Sequence, residues 1–525
     1  MIFVNEYIKT VEGWLKKHAM DMLRMVLFGC AVYFALISQN LVNSMDGLWN
    51  NSIYFADSWE RSIGRWFWPY LDMLRFGVVS YQLNSIITLI LDAMAVSLLA
   101  DLLAVKNKKI IFLMGALFIA SPLTCVSLSY SYMSPTFGMA FFLSVCAAYC
   151  ILKTAHPVAA ILAGSVLIAC DMGCYQAYLG TTCVIILFYM MKQILKNADL
   201  KEIGLLVLRS SGAVLCGGGM YKLAVVVVNR IYDVSLSSYK GANEVSVSNI
   251  ILSLPDTIPA AYKAFYRFFC TAFIQNNIFG NKKVNICIIF VVCCLVLYML
   301  FQFAKRNWIG AGLLFLLVLL IPLAANISLL IAVKMGTEEN MILLMTGGMV
   351  LCPALFLAVF YSFRKHIPYY GIYTVALCVS LWVNIFIVNN DQVAMREGRT
   401  GAVTVTQNIL SRMADEGYLG GDTKYEIAFI GKPSESRLFQ KSDAWRQANN
   451  YAAFGDWPMK SANCTSQSWR GIIREYCGVS IRTCDDDTYQ EIIDGEEAEE
   501  MEAFPKEGCI RMVNDVLVVK VSDMH

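Results

Sequence analysis

The feature that most constrains this chain is a series of long apolar stretches, each near the roughly 20 helical residues that cross a bilayer core. Eleven stretches are predicted to span a membrane: residues 20–42, 83–105, 110–128, 135–152, 157–170, 176–191, 203–232, 284–303, 308–332, 341–361 and 369–389. The stretch 157–170 is short, so a re-entrant or tilted segment is an alternative there. With 57% hydrophobic and 16% charged residues, the composition excludes a disordered chain and argues against an ordinary soluble enzyme.

Lysine and arginine occur in alternate loops between these stretches, which orients the predicted bundle. The loops predicted to be cytoplasmic are basic and contain Lys106–Lys109, Lys153, Lys192–Lys201, Lys305–Arg306 and Arg364–Lys365. The intervening loops at 129–134 and 171–175 contain no Lys or Arg. Because positively charged loops stay in the cytoplasm, the N-terminus is predicted to be inside. An odd number of spans then places residues 390–525 outside.

The two ends of the chain differ from the bundle between them. Residues 1–19 are charged throughout and lack a signal-peptide cleavage site, so we expect a cytoplasmic amphipathic helix on the membrane surface. Residues 390–525 carry 15 Lys and Arg against 23 Asp and Glu, a net −8, whereas the remainder nets +10. Candidate strands at Tyr425–Gly431 and Val516–Val521, with a helix near Val403–Glu416, predict a small extracytoplasmic α+β domain.

Four cysteines lie in this C-terminal domain: Cys464, Cys477, Cys484 and Cys509. An even number of cysteines in an extracytoplasmic domain is compatible with two disulfides. Free thiols and a zinc site are the alternatives, although no Cys-x-x-Cys pair supports zinc.

The first predicted outer loop, residues 43–82, is rich in both charged and aromatic side chains. Its tryptophans and tyrosines predict a helix at the outer membrane interface. On one helix, four residues would share a face at i, i+3, i+4 and i+7 spacing: Asp57, Glu60, Arg61 and Gly64. Two carboxylates and a guanidinium would then point into one cleft. The alternative is an interfacial helix whose charged side chains are merely solvated.

Other polar groups fall in segments predicted to lie at the same membrane face. Such groups are functional candidates because polar side chains at membrane depth are costly. They are Asp171, Tyr175 and Gln176 after the fifth span, Lys222 and Arg230 in the outer half of the seventh, and Lys334, Glu338 and Glu339 in a later loop. An anionic phosphate and a carboxylate of the protein itself are both plausible partners for Lys222.

Two segments of the chain resemble one known family. The run YFADSWERSIGRWFWPYLDML resembles the first motif of the bacterial glucosyl transferase II domain family. The matching positions are Asp57, Arg61, Gly64 and Arg65, while Ala56 stands where the family commonly has another acid. The run Gly173–Ala177 (GCYQA) resembles the family's Tyr-Gln motif. The resemblance implies a GT-C-type membrane bundle that takes a sugar from a polyprenyl phosphate and transfers it to a surface glycan at the outer face.

This chemistry assigns roles to the polar residues. Transfer from a lipid phosphate needs a base for the acceptor hydroxyl and cations for the charge that grows on the leaving phosphate. The candidate bases are, in order, Asp57, Asp46 and Asp171. The candidate phosphate ligands are Arg61, Arg65, Lys222 and Arg230. The candidate sugar or acceptor ligands are Glu60, Trp59, Tyr175 and Gln176. For most of the aromatic residues, membrane anchoring is the alternative, and neither a metal nor a cofactor is expected.

The predicted function is therefore the addition of one sugar, glucose by the resemblance, to an O-antigen or wall glycan. The implied partners are the polyprenyl-phosphate sugar, the glycan, membrane lipid, a flippase and a polyprenyl-phosphate sugar synthase, with no nucleic acid. A transporter or lipid-linked-sugar flippase is the alternative, since Gly217–Gly219 could break the seventh helix. A glycan polymerase or ligase is a further alternative, with residues 233–283 as its large outer loop, although Ile250–Phe269 is typical of an amphipathic interfacial helix.

Overall fold

A computed structural model describes residues 2–50, 52–270, 281–332, 342–419, 425–457 and 462–523. Helices dominate, which confirms the predicted mainly α class. The helices before the C-terminal domain are α1 (Ile2–Val32), α2 (Phe34–Ser38), α3 (Asp46–Trp49), α4 (Ser58–Ser62), α5 (Trp68–Leu74), α6 (Tyr81–Leu102), α7 (Lys108–Ile119), α8 (Pro122–Ser129), α9 (Ser134–Lys153), α10 (Pro157–Tyr175), α11 (Leu179–Leu195), α12 (Leu200–Ile231), α13 (Val247–Cys270), α14 (Asn281–Ala304), α15 (Trp308–Ala325), α16 (Ile327–Ile331), α17 (Gly347–Ser362) and α18 (Tyr370–Asp415).

Among the described residues, seven helices are long and apolar enough to cross a membrane, and the bent pair α7 and α8 raises the number to eight. The predicted number of eleven is not reproduced by this criterion, for three reasons. The stretch 20–42 is divided between α1, which also carries charges, and the short α2. The stretch 341–361 coincides with α17, which has only 16 residues. The stretches 157–170 and 176–191 fall in one continuous helical run, Pro157–Leu195.

The run Pro157–Leu195 reverses direction in its middle. Its 39 residues would extend about 58 Å as one straight helix, twice the roughly 30 Å of a bilayer core. A 3-10 turn at Gln176–Tyr178 separates α10 from α11. Lys153, which precedes α10, lies 5.2 Å from the centroid of the Tyr189 ring near the far end of α11. The two ends of the run therefore meet at one end of the bundle, and the turn lies at the other end.

The N-terminal segment predicted to lie on the membrane is continuous with the first predicted span in α1. Its second half is held against the C-terminal end of α6 by one carboxylate. Asp101 accepts hydrogen bonds from the Trp14 indole at 2.8 Å and the Lys17 ammonium at 2.7 Å, and its other contact is the His18 imidazole at 2.8 Å. These contacts fix α1 in place from residue 14 onward.

Helix α12 runs without interruption through Gly217–Gly219. The prediction that these glycines could break the helix, which was the main support for a transporter, is wrong. Gly217 instead allows close packing, because a Cβ there would lie 2.7 Å from the Ile168 side chain of α10. The predicted amphipathic segment Ile250–Phe269 is helical and lies within α13.

Helix α18 joins the bundle to the C-terminal domain as one 46-residue helix. The sequence predicted two separate helices here, with a boundary near residue 390. The two glycines in the intervening segment are packing positions and do not end the helix. A Cβ on Gly398 would lie 2.6 Å from the Phe454 carbonyl, and one on Gly401 would lie 3.0 Å from the Phe439 ring. The C-terminal domain therefore packs directly on the extension of a membrane helix.

The C-terminal domain contains a four-stranded sheet with the order β2-β1-β4-β3. Its strands are β1 (Glu426–Ile430), β2 (Arg482–Thr483), β3 (Ile510–Val513) and β4 (Val516–Lys520), and its helices are α19 (Asp443–Gln447), α20 (Ala462–Ile472), α21 (Asp486–Ile493) and α22 (Glu496–Glu500). β1 pairs in parallel with β2 and β4, and β3 pairs antiparallel with β4. The two predicted strands are confirmed as β1 and β4, and they belong to a small mixed sheet.

Both faces of this sheet are buried, as expected for parallel strands covered on each side. Phe429 and Leu517 face one apolar cluster together with Cys509. Ala428 and Val518 face a second cluster together with Cys484. Cys484 and Cys509 are free thiols in the structure, and the sheet lies between them.

Two glycine substitutions in α18 test whether the domain is clamped to this helix. We expect Gly398→Ala to lower the free energy of unfolding by about 1–3 kcal/mol, because its Cβ would collide with the Phe454 carbonyl. Gly371→Ala is the matched control, since a Cβ there has no neighbour within 4 Å and alanine improves helix propensity by about 1 kcal/mol. Thermal unfolding of both variants checks the prediction. Equal stability of the two would contradict it.

Candidate functional site

The segment predicted as the first outer loop, residues 43–82, contains three short helices, so the prediction of one interfacial helix is wrong. We keep the name first outer loop for this segment. Helix α4 begins after Asp57, whose backbone N–H donates to the Glu60 carboxylate at 2.9 Å. It ends before Gly64, whose φ of +82° is favoured only for glycine. Pro69 then lies in the first turn of α5, where proline is well tolerated. These turns point neighbouring side chains of the motif in different directions.

Asp57, Glu60 and Arg61 are close together, but they do not face one cleft. The Asp57 side chain is 78% exposed and forms an ion pair with Arg61. Arg61 is buried, with its guanidinium carbon 3.9 Å from the centroid of the Tyr232 ring. Glu60 is also buried and accepts a hydrogen bond from the Tyr54 hydroxyl. The predicted common face is therefore divided, with Asp57 toward solvent and the other two turned inward.

Arg65 and Asp46 are both half-buried in the same loop, and the charge of Arg65 acts on the Asp46 carboxyl. The Arg65 guanidinium carbon lies 4.7 Å from the centroid of the Tyr175 ring and 5.7 Å from that of Trp68. Burial raises the pKa of the Asp46 carboxyl to about 6, with the Arg65 charge opposing this shift and the Glu60 charge reinforcing it. Asp46 is therefore a carboxyl that changes its protonation state close to neutral pH.

The motif around Tyr175 packs directly on the first outer loop. The Phe67 backbone N–H donates to the Gly173 carbonyl at 3.0 Å. The Gln176 amide donates to the Ile63 carbonyl at 2.6 Å and to the Tyr221 hydroxyl at 3.0 Å. These contacts bring together the two motifs on which the family resemblance rests.

Two glycines make this approach possible. A Cβ on Gly64 would lie 2.3 Å from the Tyr221 hydroxyl, and one on Gly173 would lie 2.7 Å from the Trp66 indole nitrogen. Any side chain at either position would push the loop away from the turn that follows α10.

A cavity of ≈ 180 Å³ lies where the first outer loop, the end of α10, α12 and α16 meet. Its polar side chains include Arg65, Gln176, Tyr221, Lys222, Tyr239 and Lys240. Its apolar wall includes Val225, Leu236, Ile331, Ala332, Ile342 and Met345. The cavity thus combines cationic side chains with an apolar wall, which suits an amphipathic anionic ligand.

The sequence model of the family described as glucosyl transferase GtrII matches residues 50–352. The chain belongs to this family. No curated protein and no solved structure matches the chain significantly. The residues matched by GtrII contain both packed motifs and the whole lining of the cavity. The suspected resemblance to the glucosyl transferase II family is therefore confirmed.

Four of the predicted site residues line the cavity of this GtrII protein, namely Arg65, Tyr175, Gln176 and Lys222. The Lys222 ammonium also donates to the Val245 carbonyl at 3.2 Å and so holds the loop after α12. The Trp59 ring contacts the Tyr239 ring edge-on, with 5.7 Å between centroids, at the border of the cavity.

Other predicted site residues lie elsewhere. Asp171 is fully buried between helices, where it accepts a hydrogen bond from the Ser144 hydroxyl at 3.0 Å. Arg230 is exposed to solvent on α12. It lies more than one helical turn past Val225, the last residue of this helix that lines the cavity. Within the described part of the chain, neither residue lines the cavity. Lys334, Glu338 and Glu339 lie outside the described residues.

Sequence reasoning missed Tyr221, Tyr239 and Lys240 as cavity residues. Tyr221 directly precedes Lys222 in sequence. A tyrosine next to a lysine in a mostly apolar helix could have marked it as a candidate. Tyr239 and Lys240 lie in a polar segment between two apolar helices, in a 3-10 helix at Tyr239–Glu244. No periodic pattern marks that segment, and its position against the cavity depends on tertiary contacts.

The C-terminal domain of this GtrII protein contacts the short helix that carries Asp46. Leu48 is fully buried in the apolar cluster of the domain, against Gly471 of α20. The Trp49 indole donates to the Ser468 hydroxyl at 3.1 Å, and Arg474 donates to the Trp49 carbonyl at 3.1 Å. The domain and the first outer loop therefore lie at the same end of the bundle.

Proposed function

We propose that this GtrII protein is a GT-C-type enzyme that moves one glucosyl residue from a polyprenyl phosphate to a cell-surface glycan. The observation that carries the proposal is the cavity in which Arg65, Gln176 and Lys222 meet beside an apolar wall. Family membership supports the glucosyl transfer. Seven or eight apolar helices support a membrane location, and the basic loops support a cytoplasmic N-terminus with the C-terminal domain outside.

The proposed donor matches the two halves of the cavity. Its phosphate would lie between Arg65 and Lys222, because cations stabilise the charge that grows when a phosphodiester becomes a monoester. Its isoprenoid chain would lie along the apolar wall around Val225 and Ile331, because covering an apolar surface with hydrocarbon removes it from water and is favourable. Tyr175, which lies under the Arg65 guanidinium, and Gln176 would contact the sugar.

Asp46 is the proposed base, in place of the exposed Asp57. Asp46 does not itself line the cavity, but its charge acts on Arg65 and Tyr239, which do. Its carboxylate would take the proton from the acceptor hydroxyl as that oxygen bonds to the anomeric carbon and the bond from that carbon to the phosphate oxygen breaks. A base works best when its pKa lies near the working pH, and burial raises the pKa of Asp46 to about 6. Asp57, in contrast, forms an ion pair with Arg61 and is mostly exposed to solvent.

The proposed reaction is tested with purified protein, a polyprenyl-phosphate glucose and surface glycan from the host cell. We expect the glycan to gain one glucose per acceptor site. We expect EDTA to leave the rate unchanged, because Arg65 and Lys222 stabilise the phosphate in the proposed mechanism and no metal ion takes part. In sealed right-side-out vesicles, transfer to a glycan added outside is expected. A product with many added sugars would indicate a polymerase, and donor movement across the membrane without a new glycosidic bond would indicate a flippase.

Substitution of Asp46 tests the identity of the base. We expect Asp46→Asn to lower kcat/KM by about 10²–10⁴, the usual contribution of a general base. In the wild-type protein, kcat/KM should fall about tenfold per pH unit below pH 6, because the carboxylate becomes protonated there. Steady-state kinetics between pH 4.5 and 8 measure both effects.

Asp57→Asn is the matched comparison for this prediction. It removes a carboxylate from the same loop, and we expect it to retain at least a tenth of the wild-type activity. Loss of transfer in Asp57→Asn with activity retained in Asp46→Asn would make Asp57 the base and contradict our assignment.

Substitution of Arg65 tests the phosphate site. We expect Arg65→Gln to lower kcat by about 10²–10³, because one donor to the developing charge is lost. Arg65→Lys keeps the charge but loses the planar guanidinium over Tyr175, so it should recover only part of the rate. Arg511→Gln, an exposed arginine on β3, is the control. Transfer kinetics with a short-chain donor provide the measurement, and an unaltered rate in Arg65→Gln would exclude this role.

A further inference from the structure

A second cavity, of ≈ 320 Å³, lies among three loops of the bundle. Asn197 contributes from the loop between α11 and α12, Arg306 from the loop between α14 and α15, and Lys365 and His366 from the loop between α17 and α18. The convergence of these loops places all of them at one end of the bundle. We refer to this space as the basic cavity.

The basic cavity and the cavity of the glucosyl transferase site lie near opposite ends of α12. Asn197 borders the basic cavity just before α12 begins, and Lys222 borders the other cavity 25 residues later. At about 1.5 Å per helical residue, the two positions are separated by roughly 35 Å, slightly more than the thickness of a bilayer core. The two cavities therefore open at opposite membrane faces.

Aromatic residues place the basic cavity at the level of lipid headgroups. Trp308 and Tyr369 lie in or beside the loops that form it, and both side chains are largely exposed. Tryptophan and tyrosine favour this depth because one part of each ring system is apolar and another forms hydrogen bonds. The outward faces of α14 and α18 near the cavity expose Leu297 and Ile372, which suit contact with acyl chains.

The lining of the basic cavity suits an anion. Arg306, Lys365 and His366 provide cationic or hydrogen-bonding groups, and Gln302 adds an amide. Among the lining residues, all of which the structure describes, none is acidic. Apolar side chains such as Met299 complete the lining on the side of the bundle.

We propose that the basic cavity binds the phosphate of an anionic glycerophospholipid headgroup in the leaflet opposite the glucosyl transferase site. Arg306 and Lys365 supply the charge, and the exposed apolar faces of α14 and α18 hold the acyl chains. The lipid is favoured over free phosphate because the polar cavity and these apolar faces are contiguous at headgroup depth. Basic pockets between membrane helices are a general mode of recognition for such headgroups.

The full-length protein in detergent is titrated with short-chain phosphatidylglycerol, phosphatidylcholine or inorganic phosphate, and the midpoint of thermal unfolding is followed. We expect phosphatidylglycerol to raise the midpoint at the lowest concentration. The double variant Arg306→Gln/Lys365→Gln should need at least tenfold more phosphatidylglycerol to reach half of this effect. Each cation near an anionic headgroup raises the affinity about fivefold, and the variant lacks two of them.

Lys305→Gln/Arg364→Gln is the matched control, because it removes the same charge from the same two loops. Lys305 lies over the Phe301 ring at 4.3 Å and Arg364 over the Tyr361 ring at 4.4 Å, outside the cavity. Its phosphatidylglycerol dependence should stay within twofold of the wild type. An equal loss in both double variants would overturn the proposal, since the loops would then act only as diffuse positive charge.

The wild-type titrations decide the proposal even if a variant does not fold. Equal effects of phosphatidylglycerol and phosphatidylcholine would exclude recognition of the anionic headgroup. Equal effects of inorganic phosphate and phosphatidylglycerol would show a site for free phosphate and overturn the assignment to a lipid. Stabilisation by phosphatidylglycerol alone would support it.

Discussion

The hydrogen bond from the Gln176 amide to the Ile63 carbonyl joins two parts of the chain that are 113 residues apart. It forms because Gly64 and Gly173 leave room for the loop and the end of α10 to approach. The position of Arg65 over the Tyr175 ring depends on this approach. The position of Arg65 in the cavity therefore depends on this contact and on the absence of a side chain at Gly64 and Gly173.

The surroundings of Asp46 come from parts of the chain that are distant in sequence. The Asn43 side chain holds the preceding backbone to the Ser129 carbonyl at the end of α8, at 3.2 Å. Leu48 on the next turn is buried in the C-terminal domain. Arg65 supplies the nearby charge. The C-terminal domain therefore packs against the turn that follows Asp46, and α18 runs into that domain without a break.

The regular elements were largely predictable, because each has a local signal. Apolar stretches indicated the helices, and the two β-branched runs indicated β1 and β4. The pair of residues in β2 carries no such signal, since a strand of two residues is defined by its pairing with β1. The first outer loop was misread because its aromatic residues, which are typical of a membrane interface, here pack on one another. Tyr54, Trp68 and Tyr132 form one such group, with ring centroids 4.6–6.2 Å apart.

The sequence by itself determined the helical membrane class, the separate acidic domain, the family motifs and four of the residues that line the cavity. These properties are carried by composition, periodicity and short runs, which act over a few residues. Only the tertiary structure decided that Asp46 is half-buried near Arg65 while Asp57 faces solvent, and that Asp171 lies between helices. The physical reason is that desolvation and charge pairing depend on which distant segments surround a side chain. The residues next to it in sequence do not determine those surroundings.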